Sequence, residues 1–378
     1  MRAGAARGGS LGARRLPPLP GDGGQADVTS AIDQAAAAAA GPDRPVFVVG
    51  CARSGTTLLQ LMLHAHPRIA LPPETRFLLR VYDRRERFGD LRRKPNRRRL
   101  ARFIVGQSKK RFDDLGLDRK TVRRLIVHGP PTLGSAVGIV FREYAARWGK
   151  PRWGDKRPGY ISRLDVVLAL FPDAQIIHIV RDGRDCVSSL KRMGWWSGGS
   201  VAAIWYWKSA IQAGARARRS LPADQYREVR YEDLVDHPER ELRRLCAFLG
   251  EEFDGAMLAP HELAGEAVPE RKHHHSRTQQ QVDRAAVEQW REQLEPWELA
   301  LFEFVARRQL RQQGYTPFLR LPLPPPSRLA AYVRLSRRRR LAQAKRRHDD
   351  SATAARYGRP VAARLTTAQR RMSGAEST

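Results

Sequence analysis

The sequence predicts a three-layer α/β fold, a parallel sheet flanked by helices, and three observations carry that prediction. Val46 to Val49 and "QIIHIV" from Gln175 are short runs of β-branched and aromatic residues, as expected of strands buried on both faces. Each is followed at once by a segment of helical composition. A third unit repeats the order: "YREVRYEDL" reads as a strand and "HPERELRRLCAFLG" as a helix closed by Gly250. Strands alternating with helices imply right-handed crossovers and a parallel sheet.

Taken in order, residues 1–43 are rich in Gly, Ala and Pro with no apolar period, and are expected to be disordered. The folded domain is expected over residues 44–320. It opens with "PVFVVGCARSGTTLLQLMLHAHP", a strand, a tight polar loop and a helix over Thr57 to His64 that Pro67 stops. Phe77 to Tyr144 carries weak helical periodicity loaded with arginine and reads as covering helices. "RWGDK" (Arg152 to Lys156) reads as a short strand, and Ile161, Leu164, Val167, Leu168 and Phe171 fall at helical spacing before Pro172. "GRDCVSSLKRM" begins a helix directly after the strand at Gln175. Two helices broken at Pro296 fill Asp283 to Gln312, and "LPLPPP" at Leu321 to Pro326 ends the domain. Residues 321–378 read as a Pro-rich and then basic tail, expected to be solvated and mobile. Its segment from Arg328 to Arg347 is also readable as a basic surface helix.

The formal net charge of +30 points to anionic partners. Much of it is local. Arg80 to Arg124 holds 18 Lys/Arg against 6 Asp/Glu, and Leu321 to Thr378 holds 14 against 3. These blocks contain few aromatics, which argues against a nucleic-acid-binding protein. Three well-separated cysteines, Cys51, Cys186 and Cys246, exclude a disulfide framework. No apolar run approaches the ~18–20 residues that span a bilayer. A soluble cytoplasmic protein is the expectation.

The loop "GCARSGTT" has the outline of a phosphate-binding loop, yet Thr56 stands where such loops carry lysine. A strand end feeding a helix aims backbone N–H groups and the positive end of the helix dipole at one point. Gly50 and Gly55 permit the turn. The Ser54, Thr56 and Thr57 hydroxyls are candidate donors to phosphate oxygens, or else simple helix caps. The cation within the loop is Arg53, which removes the case for a metal-bound triphosphate. At the end of the second strand, "VRDGRDCVSSL" offers Arg181 for bidentate phosphate recognition and Ser189 for a further hydrogen bond. The alternative is an Arg181–Asp185 surface pair.

With both motifs in view, the chain resembles sulfotransferases that use 3′-phosphoadenylyl sulfate (PAPS). "RSGTT" resembles their 5′-phosphosulfate loop and "VRDGRDCVSSL" their 3′-phosphate site. "RYEDLV" resembles a segment whose tyrosine, here Tyr231, touches the cofactor. "RSGTTLL…AHP…ETR", "GDKRP" and Trp290 resemble the protein-tyrosine sulfotransferases and their bacterial relatives. The likeness runs over about residues 44–317 and implies a P-loop-like sheet. It implies that Glu74 is the catalytic base, with a pKa raised by a desolvated pocket. It implies Lys156 and Arg53 as stabilisers of the leaving phosphate, and Arg76 beside the base or the sulfuryl oxygens. Ser276 and Arg277 align loosely with a loop that closes over the cofactor.

Sulfuryl transfer moves a singly charged group and needs no metal, so none is expected. His273 to His275 read as a polar loop, because consecutive residues cannot easily face one ion. "GWWSGGSVAAIWYWKSA" is either core or a surface for stacking adenine or acceptor. The acceptor is a hydroxyl on a carbohydrate, glycolipid, small metabolite or peptide tyrosine, in a pocket built by the arginine-rich region. The basic tail is a candidate for contact with an anionic membrane surface. A nucleotide kinase or ATPase is the rival enzyme class, but it needs a loop lysine and a strand-end aspartate for magnesium.

Overall fold

In the computed structural model, residues 44–106, 112–267, 284–318 and 322–357 are described. The expected disorder of residues 1–43 and the candidates Ser276 and Arg277, with the histidine triplet, lie outside them. The segments Val46–Gly50 (β1), Ile69–Ala70 (β2), Arg152–Lys156 (β3), Gln175–Val180 (β4) and Tyr226–Arg230 (β5) pair in parallel in the order β2-β3-β1-β4-β5. All residues of β1, β3 and β4 are buried. That is why β1 and β4 read as continuous apolar runs rather than alternating ones.

Alternation still sorts their side chains between two cores. Phe47, Val49, Ile176 and Val180 face one, while Val46, Val48, Ile177 and Ile179 face the other. The helix after β1, Thr56–Ala65 (α1), buries Leu59, Met62 and Leu63 in the second core. The helix after β4, Gly183–Lys191 (α2), buries Val187 and Leu190 in the first. Each such side chain contributes about 1.5–3 kcal/mol. The two chains therefore leave neighbouring strands toward opposite faces, and the crevice between the ends of β1 and β4 is a topological switch point, where open α/β sheets bind ligands.

The arginine-rich region forms the helices Phe77–Asp83, Lys94–Gly106, Arg119–His128 and Leu133–Arg147. The long helix Gly199–Ser220 (α3) packs on α2, with Trp207 fully buried against Phe302. Three details depart from expectation. β2 was not foreseen, being two residues long. "YREVRYEDL" is strand only to Arg230, and Tyr231–Asp236 is a helix (α4) whose first turn carries Glu232 and Asp233, acids that suit a helix N-terminus. Of the two readings of the basic tail, its described residues follow the surface helix and not the mobile segment: Pro326–Tyr357 forms one helix (α5) whose Tyr332 is buried in the core. Among the described residues no helix is long and apolar enough to cross a membrane.

Candidate active site

At the end of β1 the chain turns through Arg53 (φ 71°) and Gly55 (φ 93°), both left-handed. Gly55 is required twice over. Its φ disfavours a side chain, and a Cβ there would lie 2.4 Å from Cδ2 of Tyr231. Gly55 is also the N-cap of α1 and provides no side-chain cap, so the first N–H groups of that helix keep their dipole for an incoming anion. Ser54 departs from expectation: it is fully buried and its hydroxyl donates to Cys51 O at 2.7 Å, so its proton serves the turn. Thr56 is buried beside it, and Thr57 is half-buried.

The two anion motifs meet directly. Arg53 Nε donates to Ser189 Oγ at 3.0 Å, and Arg181 Nη1 donates to Arg53 O at 3.0 Å. The Arg181 guanidinium stacks over the Tyr231 ring at 4.7 Å and gives another hydrogen bond to Ala286 O. Its Nε is buried with no partner among the described residues, an orphan donor that an oxyanion would satisfy. The Arg181–Asp185 contact exists at 3.7 Å, but both groups are buried, so it is not the surface pair of the alternative reading. Asp185 mainly accepts Glu288 N (2.9 Å) and Trp290 N (3.0 Å), which fastens the segment C-terminal to residue 284 against α2. Burial pushes the Asp185 carboxyl up to about 6.

On the other side of β1, β3 delivers Lys156. Its side chain is buried and its Nζ donates to Thr57 Oγ1 at 3.2 Å. Burial lowers its pKa, against the pull of Glu74 and Asp155. Asp155 does not pair with the ammonium. Its carboxylate accepts from Tyr160 Oη (2.6 Å), Lys156 N (2.9 Å) and Thr75 Oγ1 (3.5 Å), and burial raises it to about 6. This knot ties the backbone beside Lys156 to the residue next to Glu74.

Glu74 Oε1 lies 2.9 Å from Arg76 Nε and 3.8 Å from Arg157 Nε. Burial pushes the Glu74 carboxyl up, but Lys156, Arg76 and Arg157 together outweigh it, and its pKa lies below the ordinary value. The expected upward shift is therefore corrected: three cations surround the carboxylate. Arg76, itself left-handed at φ 67°, turns its guanidinium onto Glu74, so its contact is with that carboxylate.

Sequence reasoning missed Arg157 and the Asp155–Tyr160 knot. Arg157 stood in the quoted "GDKRP", but nothing local says that the residue after a strand end will reach a glutamate from a distant segment. The aromatic cluster divides. Trp207 is core, donating to Arg181 O at 3.0 Å and so holding the end of β4. Tyr206 lies beside Gly159, and burial and then Cys51 raise its phenol, with Arg157 and Glu74 also acting on it. Among the described residues no group of three or more His, Cys, Asp or Glu could hold a metal ion. What converges at the ends of β1, β3 and β4 is a helix N-terminus, the cations Arg53, Lys156 and Arg181, and the Glu74 carboxylate with Arg76 and Arg157 on it.

Comparison with known proteins agrees with this geometry. The model of the Sulfotransferase family matches residues 45–255. The chain is 29% identical over 229 residues to protein-tyrosine sulfotransferase 1 of Danio rerio, covering 59% of this chain and 57% of that one. It is 28% identical over 275 residues to the nodulation protein NoeE of Sinorhizobium fredii, covering 66% and 60%. It thus spans about half the length of the curated relatives it matches. Among solved structures, the sulfotransferase domain of the Synechococcus PCC 7002 olefin synthase superposes with a TM-score of 0.53 at 26% identity, over 73% of this chain and 96% of that domain. With more than half its length matched, and with the strands, loop and cations of the site inside the match, the chain belongs to the sulfotransferase family.

Proposed function

We propose that this chain transfers a sulfuryl group from PAPS to a hydroxyl acceptor, without a metal and with Glu74 as general base. The observation that carries the reading is Lys156, which reaches Thr57 at the uncapped start of α1 and acts electrostatically with both Arg53 and the Glu74 carboxylate. The acceptor oxygen forms a bond to sulfur while the bond from sulfur to the 5′-phosphate oxygen breaks, and its electron pair stays on the phosphate. Glu74 takes the acceptor proton, and Lys156 and Arg53 stabilise the charge that grows on the leaving phosphate. Arg181, with its orphan Nε, and Ser189 hold the 3′-phosphate, and Tyr231 packs behind Gly55 beneath the Arg181 guanidinium. Thr57, fixed by Lys156, orients the phosphosulfate.

The low Glu74 pKa fits this scheme. Lys156, the first of the cations that depress it, is also one proposed to receive the co-substrate's negative charge. Loading the site offsets that cation and makes the carboxylate a stronger base when a base is needed. The acceptor is a hydroxyl-bearing molecule: a peptide tyrosine, as in the name of the Danio relative, or a carbohydrate, glycolipid or small metabolite.

Calorimetric titration with 3′-phosphoadenosine 5′-phosphate, with and without magnesium, tests the reading. Binding is expected to be equal in both. Tight binding of ATP instead, or a strict need for magnesium, overturns it. Glu74→Ala is expected to keep nucleotide binding and to lose about 10²–10⁴-fold in transfer; full turnover removes Glu74 from the base role.

A further inference from the structure

The C-terminal helix α5 is held at its two ends and runs along α3 between them, with its outer face exposed. Tyr332 is buried in the core near one end, and Asp350 pairs with Arg85 (3.3 Å) and Arg163 (3.6 Å) near the other. Every residue from Arg337 to Asp349 is exposed. From Arg328 to Arg347 the sequence holds nine Lys/Arg and no Asp or Glu. Before Lys345 the stretch has no opposite-charge i,i+4 spacing to support a solvated helix, and like-charge spacings such as Arg334 and Arg338 oppose it.

The positive charge does not stop at the helix. Arg340 acts on Lys208 of α3, and Arg347, with Arg219, acts on Arg216 of the same helix. Arg339 covers the Trp205 ring at 5.7 Å. Apolar side chains stand among the arginines: Val333 is 46% exposed and Leu341 70%. They are eight residues apart, hence on one face, with Arg337 between them and Lys345 one turn beyond. An exposed face of alternating apolar and cationic residues, with Asp349 at its far end as the first acid, fits one kind of surface.

We propose that α5 is a membrane-docking helix that lies on an anionic lipid surface, its cations on the headgroups and Leu341 and Val333 entering the interface. A second copy of this chain is a poor occupant, because it brings the same charge. Nucleic acid explains the arginines but not the exposed Leu341 and Val333, and the rings nearby are buried or covered (Tyr332, Trp205).

Co-sedimentation of the full chain with phosphatidylserine-containing vesicles and with pure phosphatidylcholine vesicles tests this. Binding is expected only to the first, and to be lost at high salt. Arg338→Glu with Lys345→Glu is expected to weaken it at least about tenfold. Leu341→Ser, at unchanged charge, is expected to weaken it about three- to tenfold. Arg123→Glu with Arg124→Glu, the same charge change on the exposed face of the Arg119–His128 helix, is the control. Unchanged binding of 3′-phosphoadenosine 5′-phosphate certifies each variant as folded. Equal binding to both vesicle types overturns the proposal, as does an equal loss in the control. Indifference to Leu341→Ser together with tighter binding to a DNA duplex assigns the face to nucleic acid and also overturns it.

Discussion

Arg157 offers the sharpest test of the proposed base, because it acts on Glu74 by charge alone. Its Nε lies 3.8 Å from Glu74 Oε1, and the two side chains are 26% and 23% exposed. For a pair so placed, partly screened by solvent, an effective dielectric constant of about 40–80 gives an attraction of about 1–2 kcal/mol. Glu74 must be ionised to take a proton, so activity falls as pH drops through its pKa. Arg157 favours the ionised form; Arg157→Gln therefore raises the Glu74 pKa and moves the acid limb of the kcat/KM profile to higher pH. The limb for kcat, which reports the loaded enzyme, is expected above that for kcat/KM already in the unaltered chain, since bound anion offsets Lys156, which also lowers the Glu74 pKa. An acid limb that stays in place in Arg157→Gln, or moves down, refutes the reasoning, as does an unaltered limb in Glu74→Ala.

Two further outcomes test the walls of the site. Gly55→Ala forces a left-handed alanine, at about 1–2 kcal/mol, and drives its Cβ into the Tyr231 ring. A fall in Tm of about 3–6 °C together with weakened nucleotide binding is expected by scanning calorimetry and titration, and an unchanged Tm rejects the Gly55–Tyr231 contact. Arg181→Ala removes a charged donor and is expected to cut affinity for 3′-phosphoadenosine 5′-phosphate by about 10–100-fold while leaving adenosine 5′-monophosphate nearly unaffected. An equal loss for both nucleotides places Arg181 away from the 3′-phosphate.

The parts of the fold that were legible are those whose signal is local. β1 and β4 announce themselves because both faces of each strand are buried, and Gly250 closes its helix with φ 74° as its position implies. β2 has no legible period at two residues, and the switch from β5 to α4 falls inside one apolar and acidic run. At the site, Arg53, Arg181 and Ser189 were visible through motif spacing, and the structure brings them into one hydrogen-bonded chain. The environment of Glu74 was not visible. A sequence shows a carboxylate between prolines and an arginine, but two of the three cations that set its pKa, Lys156 and Arg157, arrive from the end of β3, far along the chain. Ser54 was misjudged for a related reason: its hydroxyl is claimed by Cys51 O within the turn itself, a matter of backbone shape rather than residue type.

The absent loop lysine now has a physical counterpart. Thr56 occupies its place, and the ammonium comes instead from Lys156 at the end of β3, next to β1 in the sheet, with Val48 and Lys156 in register. A lysine on a flexible loop can follow its ligand, whereas one on a central strand is fixed by the β1–β3 ladder and by the Asp155 knot beneath it. Such a cation is preorganised for charge that develops at one point and needs no reorganisation during the reaction. The cost is burial, which lowers the Lys156 pKa, and Glu74 opposes that loss by favouring the charged form. The proposed base and leaving-group cation thus favour each other's charged form, Lys156 lowering the Glu74 pKa and Glu74 raising that of Lys156. Removing either one therefore weakens the charge of the other, so the two substitutions cannot be additive, and a double-mutant cycle on transfer rate is the measure of their coupling.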